Sequence, residues 1–93
     1  MATRVQLPQT LRDYCREQAQ IEIDATNVGE VLDGLKQRFP TLYRSICDET
    51  DRVRQHISFF VNQEWIPIQM ANSRSRNITG DDVVTIWTAV SGG

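Results

Sequence analysis

The chain has 93 residues, 40% of them in the set AVILMFWYC, enough for one domain with a single core but too few for a core plus a deep cleft. A self-contained enzyme is therefore disfavoured. A formal net charge of −2 provides no general attraction to a phosphate backbone, so nucleic-acid binding is not expected. Two cysteines, Cys15 and Cys47, without a C-x-x-C pair, and one histidine, His56, cannot complete a zinc site from Cys and His alone. The cytoplasm is the natural compartment for such a chain. Residues 1–20 carry no apolar core behind a basic start. The longest apolar stretch, residues 57–61 broken by Ser58, falls far short of the roughly 20 residues that span a bilayer. Neither export nor membrane embedding is expected.

Thr3-Arg4-Val5-Gln6-Leu7 alternates polar and apolar residues up to Pro8, which has no N–H for a ladder, and this predicts a first strand closed by Pro8. Leu11, Tyr14 and Cys15 are expected to cover part of a connection. Gln20-Ile21-Glu22-Ile23-Asp24 alternates again and predicts a second strand, antiparallel to the first. Asn27-Val28-Gly29-Glu30 opens a helix, because the Asn side chain can accept from an orphan N–H of the first turn and Glu30 can reach back. Val28, Val31, Leu32, Leu35 and Phe39 recur at helical spacing, so this helix covers one face of a sheet. Gly34 inside it costs about 1 kcal/mol relative to Ala and points to close packing. Phe39-Pro40 ends the helix.

Residues 41–47 predict a short second helix with Leu42, Ile46 and Cys47 inward, and the charged run 48–54 a solvated loop. Ile57-Ser58-Phe59-Phe60-Val61-Asn62 has the highest β-propensity in the chain. Gln63-Glu64 reads as a hairpin turn into Trp65-Ile66-Pro67-Ile68, which Pro67 makes a short edge strand. Residues 70–77 read as a polar loop before a final strand at 83–87.

The order strand, strand, helix, strand, strand, strand, with the last strand inserted in the middle, predicts an α+β chain. The expected arrangement is that of a ubiquitin-like β-grasp, a mixed four- to five-stranded sheet with one main helix across a face. Residues 1–88 form the domain in this reading, and 89–93 a flexible Gly-Gly tail. At about 7% glycine a chain ends in two glycines about once in two hundred times, so the terminal pair calls for a reason.

The helix opening Val28-Gly29-Glu30-Val31-Leu32, the strand end Phe60-Val61-Asn62, the approach Gly80-Asp81-Asp82-Val83 and the terminal Gly92-Gly93 resemble the MoaD/ThiS family of ubiquitin-like sulfur-carrier proteins over nearly the whole chain. Leu7-Pro8-Gln9-Thr10-Leu11-Arg12, Val61-Asn62-Gln63-Glu64 and Ala89-Val90-Ser91-Gly92-Gly93 are similar to its CysO-like subgroup. Trp87-Thr88 stand where relatives tend to carry an aliphatic residue and proline.

The resemblance implies a carrier and not an enzyme, with no bound cofactor and no catalytic residue. A MoeB/ThiF-like adenylating enzyme would use ATP on the carboxylate of Gly93, a sulfur donor would convert it to a thiocarboxylate, and a sulfur-accepting synthase would consume it. Ala89, Val90, Ser91 and Gly92 would thread into the partner. The exposed face of the sheet around Phe59 and Val61, with Trp87, is the candidate partner surface, although a strand aromatic such as Trp87 more often fills a core. The same activated tail would serve a ubiquitin-like modifier joined to lysines through Gly93, or the small subunit of a molybdopterin-synthase-type complex.

Gly29 and Gly34 have the spacing of a phosphate loop, but Leu35-Lys36-Gln37 follows where Lys then Ser or Thr is needed. ATP is therefore expected on the partner. Arg52, Arg54, Arg74 and Arg76 read as solvated charge, His56 as a surface loop residue, and Cys15 and Cys47 as small apolar residues.

Overall fold

A computed structural model describes residues 2–88. Five strands, β1 (Ala2–Gln6), β2 (Gln20–Asp24), β3 (Ile57–Val61), β4 (Glu64–Ile66) and β5 (Val83–Thr88), form one sheet in the order β2-β1-β5-β3-β4. β5 runs parallel to β1 and antiparallel to β3, while β1–β2 and β3–β4 are antiparallel. This is the expected β-grasp, with the last strand at the centre.

Helices α1 (Val28–Arg38) and α2 (Pro40–Ile46) supply Val28, Val31, Leu32, Leu35, Leu42, Tyr43 and Ile46 to a core shared with Val5, Ile21, Ile23, Ile57, Phe59, Val61, Val84 and Ile86. The alternation of β1, β2 and β3 sends every second side chain into this core, as a period of two requires. Asn27 caps α1 by accepting from the Glu30 N–H at 2.8 Å. Glu30 reaches back one residue further than the usual reciprocal bond, to the N–H and hydroxyl of Thr26 at 2.7 Å.

Gly34 does mark a close approach, since a Cβ there would overlap Cγ2 of Ile23. Ile23 is β-branched and on a paired strand, so its methyl cannot swing away cheaply. Gly34→Ala is therefore expected to destabilise despite the roughly 1 kcal/mol gained in helix propensity. Overpacking of about 1–3 kcal/mol outweighs that gain. Thermal unfolding should show a fall of a few degrees, and an unchanged or higher midpoint would mean the helix shifts freely off β2.

Several expectations are corrected by the structure. Leu7 lies beyond β1 and donates to Ala19 O, and Gln9–Cys15 form a 3-10 helix with Leu11 and Cys15 buried but Tyr14 exposed. The hairpin turn is Asn62-Gln63, because Val61 pairs with Glu64 and Asn62 takes the left-handed conformation at φ 58, which Asn tolerates better than most residues. Pro67, lacking an N–H, stays outside β4. The run 48–54 is not simply solvated: Val53 is buried and bridges to Cys47, and Asp48 Oδ1 accepts from Thr50 and Arg52. Residues 70–77 contain a second 3-10 helix, Ala71–Ser75. Arg76 pairs with Glu64 at 2.8 Å, and Arg74 donates to Asp51 O.

Candidate functional site

The central strand is held at its start by a polar knot. The Asn62 N–H donates to Val83 O at 2.7 Å, its Oδ1 accepts from the Val83 N–H at 3.0 Å, and its Nδ2 donates to Asp82 Oδ1 at 2.9 Å. Asp82 Oδ2 accepts from the Thr79 N–H at 3.0 Å. The Val61-Asn62 and Gly80-Asp81-Asp82-Val83 segments thus meet in space, which aims β5.

At the other end β5 outlasts β1. Their pairing stops at Gln6↔Thr85, where Pro8 turns the chain into the 3-10 helix, while β3 stays paired through Ile57↔Thr88. The gap is a groove of about 590 Å³ whose walls include Leu7, Pro8, Ile86 and Trp87. Thr10 and Thr88 share a 2.9 Å hydrogen bond between their hydroxyls across it. The last described residue is therefore tied from two sides. Ala89, Val90, Ser91, Gly92 and Gly93 lie outside the described residues.

The open face of the sheet differs from expectation. Phe59 and Val61 are buried at 0% and 1% exposure; they share the inward phase of Ile57 and contact the core, so they cannot form a docking surface. The outward phase carries Phe60, half-buried, with Trp65 and Trp87, each 56% exposed. Trp65 is directly opposite Phe60, and Trp87, two residues after its other partner Thr85, is diagonal to it, within reach of large side chains. Trp87 thus belongs to the surface and not to the core. Phe60 and Trp65 were missed because high β-propensity does not reveal phase; Ile57, Phe59 and Val61, read as one set, leave Phe60 outside.

Acid groups before β5, in α1 and in the loop after α2 are stabilised as anions. The Thr79 N–H, then the Asn62 amide, hold Asp82 below the ordinary carboxylate range; the Thr50 hydroxyl does so first for Asp48, and the Thr26 hydroxyl for Glu30. Folded values below unfolded ones give stability that is present above the unfolded values and lost as pH falls through the folded ones. The melting midpoint should hold from neutrality to about pH 5 and drop below about pH 4. Asp82→Asn should lower the neutral midpoint and flatten the acid limb; an identical acid limb in that variant would contradict the assignment.

Among the described residues, no cluster of His, Cys, Asp and Glu could hold a metal ion, and no helix is long and apolar enough to cross a membrane. Cys15 and Cys47 are buried free thiols, and burial pushes both thiols up. His56 is exposed.

Sheet order, central last strand and helices on one face define a ubiquitin-like β-grasp protein. The solved structures of that class include the Amycolatopsis orientalis BexX/CysO complex, 24% identical with a TM-score of 0.82, covering 99% of this chain and 100% of that one. SAMP1 from Haloferax volcanii is 20% identical with a TM-score of 0.81 and full coverage of both chains. Mycobacterium tuberculosis CysO is 21% identical with a TM-score of 0.79, covering 95% of this chain and 99% of that one. No curated protein matches in sequence. The ThiS family model matches residues 5–93, and the chain belongs to the ThiS family.

Proposed function

We propose that this chain is a sulfur carrier whose terminal carboxylate, on Gly93, is the reacting group. The observation that carries this reading is the family match running to residue 93, so that the Gly-Gly end lies within the shared pattern. An α-carboxylate, with a pKa of about 3.5, is an anion at neutral pH and a poor electrophile. A partner enzyme joins it to the α-phosphorus of ATP with release of pyrophosphate. Hydrosulfide supplied by a donor then attacks the acyl carbon of the mixed anhydride, the C–S bond forms as the acyl–oxygen bond breaks, AMP leaves with the electron pair, and the thiocarboxylate donates its sulfur to an accepting synthase in cofactor or cysteine biosynthesis.

This chain's task is presentation. Glycine lacks Cβ, so Gly92 and Gly93 can pass close to a partner's catalytic groups, and residues 89–93 can pair with its channel as an added strand. The aromatic face of Phe60, Trp65 and Trp87 is the gripping surface, in keeping with the enrichment of such residues at interface cores. That one structural neighbour is a complex with BexX supports a partner for chains of this fold. The protein supplies no catalytic residue, and ATP stays with the partner.

Incubation with an adenylating enzyme of this class, ATP and a sulfur donor should raise the intact mass by the oxygen-to-sulfur difference, localised to Gly93. No gain with any cognate activator, or the same gain after deletion of Gly93, would overturn the proposal. A modifier role is the second reading, favoured by the likeness to small archaeal modifier protein 1. Lysine-branched Gly-Gly remnants on cellular proteins, without free thiocarboxylate, would select it.

A further inference from the structure

An activated carboxylate is exposed to every nucleophile within reach, including those of its own carrier. Of ten basic side chains here nine are arginines, and Lys36 is the one lysine. Arginine stays protonated in proteins and does not acylate under these conditions. The thiols of Cys15 and Cys47 lie at 1% and 0% exposure, where a bulky acyl group cannot reach them. His56 is exposed, but an acyl-imidazole returns to hydrolysis and leaves no stable conjugate.

Lys36 itself is engaged. Its Nζ stands 3.5 Å from Asp51 Oδ2 and 5.6 Å from the centre of the Tyr43 ring. Asp51 is held in place, since the Tyr43 hydroxyl donates to its Oδ1 at 2.9 Å and Arg74 donates to its backbone carbonyl. This ion pair must open before the Lys36 nitrogen can approach an acyl carbon.

We propose that Lys36 is the single side-chain amine of the described body able to form a stable amide with an activated Gly93, and that Asp51 with Tyr43 restrains it, so that the carrier is protected against amide conjugation to its own copies. The inference rests on the sulfur-carrier reading. In the reaction it suppresses, the Lys36 nitrogen of one copy would attack the Gly93 acyl carbon of another. A C–N bond would form, the acyl–oxygen bond to AMP would break, AMP would leave with the electron pair, and the amine would release one proton to water.

The full chain prepared as a C-terminal alkyl thioester tests this without an adenylating enzyme, and so separates it from failure of the carrier reading. In this surrogate a thiol leaves in place of AMP. Peptide mapping after incubation at pH 8 should find side-chain conjugation at Lys36 alone, and Lys36→Arg should abolish it. Asp51→Asn should raise it about 2- to 5-fold, the range an exposed ion pair supports. Arg16→Lys, at an exposed position, should make residue 16 the faster site. Conjugation at Cys15 or Cys47 in the native protein would overturn the proposal. So would an Asp51→Asn rate no higher than the parent's in a protein with an unchanged melting midpoint, or a Lys36 that reacts as fast as the lysine introduced at 16.

Discussion

Replacing Phe60, Trp65 and Trp87 together by serine is expected to weaken capture by the proposed adenylating partner about 30- to 1,000-fold, the equivalent of about 2–4 kcal/mol. The three side chains share the outward phase of β3, β4 and β5, and the two tryptophans are each more than half exposed. Large aromatics at the centre of an interface carry much of its binding energy because they bury wide apolar area while losing few rotamers. The same side chains are only partly buried, so the melting midpoint should fall by about 12 °C at most. Titration calorimetry beside thermal unfolding separates the two effects. Unchanged affinity in a folded triple variant would move the docking surface elsewhere.

The complementary expectation concerns Phe59, one residue away. Phe59→Ala should cost about 3–5 kcal/mol, because the ring is wholly buried and is among the largest side chains in the core. A domain of this size commonly has only about 5–14 kcal/mol in total, so about a fifth or more of its stability would go. The expected readout is a midpoint lower by tens of degrees, about 4–8 °C for each kcal/mol. Partner affinity of whatever remains folded should be close to the parent's. If Phe59→Ala instead left the midpoint unchanged and abolished binding, the phase assigned to β3 would be wrong.

These two residues show where sequence reading stops. Alternation in residues 3–7 and 20–24 was legible, because Ile21 and Ile23 are separated by charged or amide residues that cannot be buried unpaired. In Ile57-Ser58-Phe59-Phe60-Val61 the adjacent phenylalanines blur the pattern, and propensity alone placed Phe59 and Val61 on the wrong side. The α1 cap was readable from Asn27 and Glu30, since capping is local chemistry. The pairing of Asn62 with Asp82, 20 residues apart, was not, since it depends on how two turns come together. Trp87, a candidate for the partner surface that could also have filled a core, is placed outward by the phase of β5, which alternates with the buried Val84 and Ile86.

The Gly92-Gly93 pair on which the proposed chemistry rests is read directly from the sequence, because a residue pair is defined by covalent order and needs no fold to specify it. The strand periods of residues 3–7 and 20–24 and the helix stripe were also local properties, written in residues within one or two turns of each other, whereas the partner of Gly34, Ile23 of β2, was not. The tertiary structure alone decided which aromatics face outward, that a groove opens where β1 leaves β5, that Thr10 ties Thr88, and that Lys36 is held by Asp51 and Tyr43. Each of these joins residues distant in sequence or compares the ends of two strands. Such contacts are set by packing of the whole sheet against α1 and α2, a free-energy balance that no short window of sequence contains.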